Sequence, residues 1–558
     1  MPNRLLLSPL QNRPCKFGWK KILPLLLLGA GLGITSGIMT KVLSADRIIV
    51  SYGPLEFSIP IADLELYART GTITPTLANY TRFLGPQQLD QLRQALVASA
   101  DLSPVAVAQF LYSSQGETIL ERVGQVIQTE ARLSGFYALR ASLILAAAEP
   151  EGLTALNVLQ NFPIDSIRLN SSAGLEIVQD VTNVIQETEA AIAAVQGEFA
   201  RDLENNSDAN HRFGEQPDLT QPGPGAFSLV RLLLNRPRRD RQFPADLYLP
   251  ATATVEQPAP VIVISHGLGS ERSTFAYLAR HLASYGFAVA VPEHPGSNAQ
   301  QIQQLFAGLA QEISPPRELI DRPLDIRYLL DFLAQSYGQQ LRMQDVGVLG
   351  QSFGGYTVLA LAGAEINFER LAQRCADLSD FLNFSLLLQC DALELPRGNY
   401  QLSDPRVGAV IAINPLTSFI FGPQSLGQVA VPTVIASGSA DTVTPALTEQ
   451  IRPFTWLEVP QKYLLLLESG THFSFLGEAE GGISLPEATI GPDPTIAQTY
   501  LKALSLVFFT TYVADNPRYE IYLTPEYARY LSQTLLPLYW VESLPENIFA
   551  PLDGNDEE

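Results

Sequence analysis

The chain has 558 residues, too many for one ordinary domain, and its 46% hydrophobic and 17% charged composition is that of a folded protein. The formal net charge is −21; removing the six basic residues of the first 45, which include no acidic ones, takes the remainder from −21 to −27. Such a surface repels phosphate backbones and excludes nucleic acid as a partner.

The N-terminus reads as an export signal. Basic residues end at Lys20-Lys21, an apolar run follows from Ile22 to Met39, and the small residues Ser44 and Ala45 offer a cleavage point. An uncleaved membrane anchor is the alternative, because the run is about long enough to span a bilayer. On either reading 1–45 is a leader and the folded part is expected outside the cytoplasm, in a periplasm or equivalent compartment. Cysteine usage agrees. Cys15 falls in the leader, which leaves Cys375 and Cys390 as a pair: a disulfide in an oxidising compartment, or else two buried thiols.

After the leader, Arg47–Tyr52 and Leu55–Ile59 are expected as short strands. Helical spacing then dominates, as in Leu89, Leu92, Leu96 and Val97, or Leu139, Leu143 and Leu145. The stretch 46–168 is therefore expected as a small, mostly α-helical domain, and it carries no motif that translates into chemistry. An amphipathic helix follows from Ile177 to Leu203. The run from Asn205 to Gly225, rich in Asn, Asp, Pro and Gly, reads as a linker, so 169–226 is helix and linker.

From Phe227 the pattern becomes strand alternating with helix. Leu229–Leu234 and Ala245–Leu249 suggest a leading hairpin. Val261–Ile264, Ala288–Val291, Val346–Leu349, Val407–Ile413, Thr433–Ala436 and Tyr463–Leu467 are short apolar runs, and helical stretches lie between most of them. Continuous apolar strands separated by helices predict a mostly parallel sheet covered on both faces, an α/β domain over 227–515. In such sheets ligands bind at the carboxyl ends of the strands. Residues 516–558 are left as a C-terminal extension.

The motifs fall at such ends. Gly350-Gln351-Ser352-Phe353-Gly354 runs straight on from an apolar strand into a predicted helix. In that context Gly-x-Ser-x-Gly exposes a serine hydroxyl on a sharp turn, and Gly350 and Gly354 keep side chains from colliding there. Ser352 is thus a candidate nucleophile, and a serine needs a base. The chain has five histidines. His211 lies in the linker, His281 in a predicted helix, and His266 and His294 precede the serine. His472 follows the strand Tyr463–Leu467 and is the candidate base. Asp441, after Thr433–Ala436, is the candidate acid that orients it, with Glu468 and Asp325 as rivals. The order Ser352, Asp441, His472 is that of the α/β-hydrolase fold. The loop Ser265-His266-Gly267-Leu268-Gly269 completes the pattern. Its glycines, Gly267 and Gly269, let backbone N–H groups turn toward a developing oxyanion, with the amides of Leu268 and Phe353 as donors. His266 reads as a structural residue shaping that loop.

On this loop, on Glu293-His294-Pro295-Gly296-Ser297, on Arg322-Pro323-Leu324-Asp325-Ile326-Arg327 and on the serine motif, residues 261–475 resemble the platelet-activating-factor acetylhydrolase and dienelactone-hydrolase-like branch of the α/β-hydrolases. The whole layout, leader, helical domain and catalytic domain, is similar to a group of exported cyanobacterial α/β-hydrolases. The resemblance implies the α/β-hydrolase fold and cleavage of carboxylic esters. Two departures stand out. Where the acetylhydrolases carry the acid, after Val407–Ile413, this chain has Asn414; and dienelactone hydrolases proper use a cysteine where this chain has Ser352.

Between the serine helix and Val407 lies an insertion, 365–405. It holds both cysteines and the apolar cluster Phe381, Leu382, Phe384, Leu386, Leu387 and Leu388. A disulfide-tied apolar cap over the site is expected, with packing alone as the alternative; Phe419 and Phe421 join either its wall or the core. The reading is a serine hydrolase of acyl or lipid-like esters that works through an acyl-enzyme, without metal or cofactor, and an association with a membrane surface stays open. The alternatives are a serine peptidase or amidase using the same residues, and a non-catalytic binding module.

Overall fold

The computed structural model describes residues 44–545, apart from 53–54, 83, 206–212, 377–382 and 480–486. The apolar run Ile22–Met39 and Cys15 lie outside the described residues, as do His211, Phe381 and Leu382.

Residues 44–170 form a body with its own core. Ile48, Leu64, Tyr67, Leu77, Leu111, Leu120, Leu139, Phe162 and Ile167 cluster there. Among its described residues, seven helices make up most of the regular structure, and it also holds two small sheets that the leucine spacing does not signal. Strands β1 (Arg47–Tyr52), β2 (Leu55–Pro60), β4 (Ile127–Thr129) and β6 (Ser166–Asn170) make a four-stranded sheet in the order β2-β1-β6-β4. β3 (Ser99–Ala100) and β5 (Leu153–Thr154) make a second, two-stranded one. The physical reason is non-local pairing. β6 lies parallel to β1, more than a hundred residues away, and β4 lies antiparallel to β6, so neither is signalled by its neighbours in sequence. The helices supply most of the core of this body.

The helix Ser171–Asn205 leaves this body and packs into the next: Ala191, Val195 and Phe199 belong to the larger core. The described part of the stretch read as a linker, from 213 to 225, is docked rather than free. Phe213 packs among Tyr522, Tyr527 and Tyr530, and the Gly225 N–H donates to the Ser284 carbonyl at 2.9 Å.

The larger body is built on a nine-stranded sheet. Its strands are β7 (Phe227–Arg236), β8 (Arg241–Pro250), β9 (Ala259–Ser265), β10 (Ala288–Pro292), β11 (Leu341–Gln351), β12 (Val407–Ile413), β13 (Thr433–Gly438), β14 (Lys462–Leu467) and β15 (Leu538–Val541). The order is β15-β14-β13-β12-β11-β9-β10-β8-β7. β9 to β14 are mutually parallel; the β7–β8 hairpin joins antiparallel at one edge and β15 at the other. Central β10 and β13 are buried at every residue, whereas edge β7 alternates. Helices on both faces bury the centre; the edge keeps one face wet. The residues read as a C-terminal extension thus supply the far edge strand, and Trp540 on β15 is fully buried. No helix among the described residues is long and apolar enough to cross a membrane.

Candidate active site

The loops that follow β9, β11, β13 and β14 meet at the carboxyl ends of the parallel strands. Ser352 stands between β11 and the helix Phe353–Leu361, with φ 57° and ψ −119°. A non-glycine residue with positive φ costs on the order of 1–3 kcal/mol and persists only where its surroundings impose it. Here the Ser352 N–H donates to the Ile413 carbonyl of β12 at 2.8 Å. The flanking glycines are required by space. A Cβ on Gly354 would sit 2.1 Å from the Ser265 carbonyl oxygen, and one on Gly350 would sit 2.1 Å from the Gly354 carbonyl oxygen.

The loop after β9 lies against this turn, since a Cβ on Gly267 would stand 3.3 Å from Ser352 Cβ. Gly269 has φ 68° and donates its N–H to the Ser297 carbonyl at 2.9 Å. Phe353 is the first helical residue, so its N–H has no intrahelical partner.

Asp441 and His472 are brought together from the ends of β13 and β14. Asp441 Oδ2 lies 2.7 Å from His472 Nδ1. Oδ1 accepts from the amides of Val443 and Thr444 at 2.8 Å each, and the Thr444 hydroxyl donates to Oδ2 at 2.7 Å. A carboxylate with that many donors is held in one orientation. With Nδ1–H directed at it, the neutral imidazole is left with Nε2 as an acceptor. All three residues are nearly buried, with Ser352 7%, Asp441 6% and His472 5% exposed. The rival acids are engaged elsewhere. Asp325 pairs with Arg236 and Arg241, and Glu468 accepts from Tyr539 and Gln196.

Three further histidines are buried away from this role. His266 Nδ1 donates to the Gly267 carbonyl at 2.8 Å while Nε2 accepts the His294 N–H at 3.0 Å, which fixes a neutral tautomer. Burial brings its pKa down to about 3. His294, whose Nε2 lies 2.9 Å from Ser265 Oγ, is held well below the ordinary value by burial. Burial also lowers His281 to about 4.

Three residues that in sequence stand only inside a motif or as a departure hold the site together in the fold. Gln351 donates its side-chain amide to the His472 carbonyl at 3.1 Å. Asn414, with φ 43°, accepts the Gly438 N–H at 3.2 Å and donates to the carbonyls of Thr471 and His472 at 3.4 Å. It therefore binds β12 to the loops after β13 and β14 at the place where the acetylhydrolases carry the acid. Arg322, fully buried, donates from Nη1 to the His266 carbonyl at 2.7 Å and from Nη2 to the Gly267 carbonyl at 3.3 Å. Burial brings its pKa down to about 9.

The insertion 365–405 includes the helices Phe368–Arg374 and Ser385–Cys390, and a disulfide joins Cys375 to Cys390 with a Cα separation of 5.8 Å. The insertion reaches the acid turn: the Ser385 N–H donates to the Val443 carbonyl at 3.0 Å. Buried Glu449 pins it further. Its carboxylate accepts from Asn383 and Gln389 of the insertion and from the amides of Thr417 and Ser418. The apolar cluster divides: Leu386 and Leu388 are core, and Phe384 is exposed. Phe421 stacks on Tyr356 inside the core at 5.2 Å.

Residues 44–170 match the family model of an alpha/beta hydrolase of unknown function (DUF1400), and residues 243–321 match that of platelet-activating factor acetylhydrolase, isoform II. Both matches support an α/β-hydrolase family. The first match covers the smaller body. The second runs from β8 through the loop after β9 and ends before Ser352. No curated protein matches the chain.

Proposed function

We propose that this hydrolase cleaves carboxylic esters of acyl or lipid-like substrates, with Ser352 as nucleophile, His472 as general base and acid, and Asp441 as the orienting carboxylate. The observation that carries the reading is the 2.7 Å Asp441–His472 contact, tied through the Gln351 side chain on the His472 carbonyl to the strand-to-helix turn that holds Ser352 at φ 57°. In the first half-reaction Ser352 Oγ attacks the ester carbonyl carbon as His472 Nε2 takes its proton. The carbonyl oxygen becomes an oxyanion, and the amides of Leu268 and Phe353 hold it. Collapse expels the alcohol, which receives the proton from His472, and leaves an acyl-Ser352 ester. A water activated by His472 then releases the acid and restores the serine.

The acetylhydrolase match over 243–321 and the apolar insertion pinned to the Asp441 turn support a lipid-like ester. An extracytoplasmic location, with the leader cleaved or kept as an anchor, is supported by the basic-then-apolar N-terminus and the Cys375–Cys390 disulfide. The test is a panel of p-nitrophenyl esters of increasing acyl length set against matched p-nitroanilides. Ester turnover that depends on Ser352 and His472 is the expected result. Preference for the anilides would make the enzyme an amidase, and no turnover of either would remove the catalytic reading.

A further inference from the structure

Arg322 is a fully buried cation whose hydrogen bonds go to neutral oxygens. Nε donates to Ser297 Oγ at 2.8 Å, Nη1 to the His266 carbonyl at 2.7 Å, and Nη2 to the carbonyls of Gly267 at 3.3 Å and Ser297 at 3.5 Å. The Ser297 hydroxyl in turn donates to Glu318 at 2.9 Å, so the carboxylate balances the charge one hydroxyl away. A buried charge without a directly bonded counter-ion is costly, and a fold keeps one where it acts on something.

What it acts on is specific. The Gly267 carbonyl belongs to the peptide unit whose other end is the Leu268 N–H. That carbonyl also accepts from His266 Nδ1 at 2.8 Å and from the Ser270 N–H at 3.4 Å. In a planar trans peptide C=O and N–H point in opposite directions. Donors gathered on the oxygen therefore fix where the N–H points, and a cation among them polarises the unit and strengthens the N–H as a donor. The same guanidinium lies over the Phe353 ring, 4.2 Å from its centroid. One side chain thus touches the peptide unit that carries the Leu268 N–H and the ring of Phe353, whose amides are the two assigned to the oxyanion.

We propose that Arg322 is a positioning residue of the oxyanion hole, aligning and polarising the Gly267–Leu268 peptide and bracing Phe353, with neutral His266 as its partner on the same carbonyl. The proposal rests on the ester-hydrolase reading of Ser352, Leu268 and Phe353. Its effect belongs to the transition state. Removing one oxyanion donor outright costs about 10²–10³-fold in kcat, and losing its alignment should reach the lower end of that range.

The experiment compares full-length wild type, Arg322→Met and Arg322→Lys. It measures kcat and KM on a short-chain p-nitrophenyl ester and the affinity for an arylboronic acid, which forms a tetrahedral adduct on serine. Arg322→Met is expected to lose about 100-fold in kcat with KM within about threefold of wild type, and boronate affinity should fall in step. Arg322→Lys keeps a cation but cannot donate to both carbonyls in the same fork, and should lie between the two. A folded Arg322→Met with wild-type kcat and boronate affinity would overturn the proposal. If Arg322→Met does not fold, Arg322→Lys decides by the same readouts, and wild-type values for it would overturn the proposal equally. The underlying reading is tested separately: a wild type that neither turns over ester nor reacts with a fluorophosphonate refutes the site itself, whatever Arg322 does.

Discussion

Asp441 and His472 are joined at 2.7 Å, and the other oxygen of the same carboxylate is already held by the amides of Val443 and Thr444. The acid therefore cannot rotate away from the imidazole without losing bonds on both sides. Asp441→Asn keeps the shape but offers an amide to the ring and favours the wrong tautomer. We expect kcat on a p-nitrophenyl ester to fall by about 10⁴-fold. Thr444→Val removes only the hydroxyl bond, worth about 1 kcal/mol, and should cost about five- to tenfold. Steady-state kinetics of the two variants check this; equal losses would contradict the separate roles.

The turn that presents Ser352 depends on a missing side chain. A Cβ on Gly354 would meet the Ser265 carbonyl oxygen at 2.1 Å, and backbone is what it would have to move. Gly354→Ala should destabilise by about 3 kcal/mol, the upper end of overpacking costs, and should abolish turnover where the protein still folds. Urea unfolding monitored by fluorescence measures the first effect and ester hydrolysis the second.

Reduction should loosen the insertion. The Cys375–Cys390 bond spans 15 residues of sequence, and the chain-entropy model gives such a closed loop about 3 kcal/mol. The thermal midpoint of wild type is expected to fall in dithiothreitol to that of the Cys375→Ser/Cys390→Ser variant. A midpoint indifferent to reductant would mean the bond is not formed.

Asp391 couples the smaller body to the insertion, because Gln115 donates its side-chain amide to it. Burial raises its pKa from 3.8 to about 8. The folded protein therefore holds a proton that the unfolded chain has released between those two values. Stability contributed by Asp391 is full below about pH 4 and declines as pH rises to about 8. Asp391→Asn should lose this dependence, so its midpoint relative to wild type should rise between pH 5 and pH 8.5. A difference independent of pH would contradict the assignment.

Much of the sheet was legible because its central strands are unbroken apolar runs, such as Val407–Ile413, that sit between helical stretches. The ends of those strands then located Ser352, Asp441 and His472 by chain order. What escaped notice depends on contacts distant in sequence. Ser166–Asn170 carries little apolar pattern and becomes a strand by pairing with β1. Leu538–Val541 is four residues long and is set by β14. Arg322 gives no sign in sequence that it is buried, since an arginine on a helix is ordinarily a solvated one. In sequence Asn414 reads only as a missing acid, and its hydrogen bonds to the end of β13 and to the loop after β14 appear only in the fold.

The most direct test of the central claim is fluorophosphonate labelling of the purified protein, with the modified residue located by peptide mass spectrometry. One adduct is expected, on Ser352, absent in Ser352→Ala and strongly slowed in His472→Ala. A folded wild type that stays unlabelled, or one labelled at another serine, would contradict it.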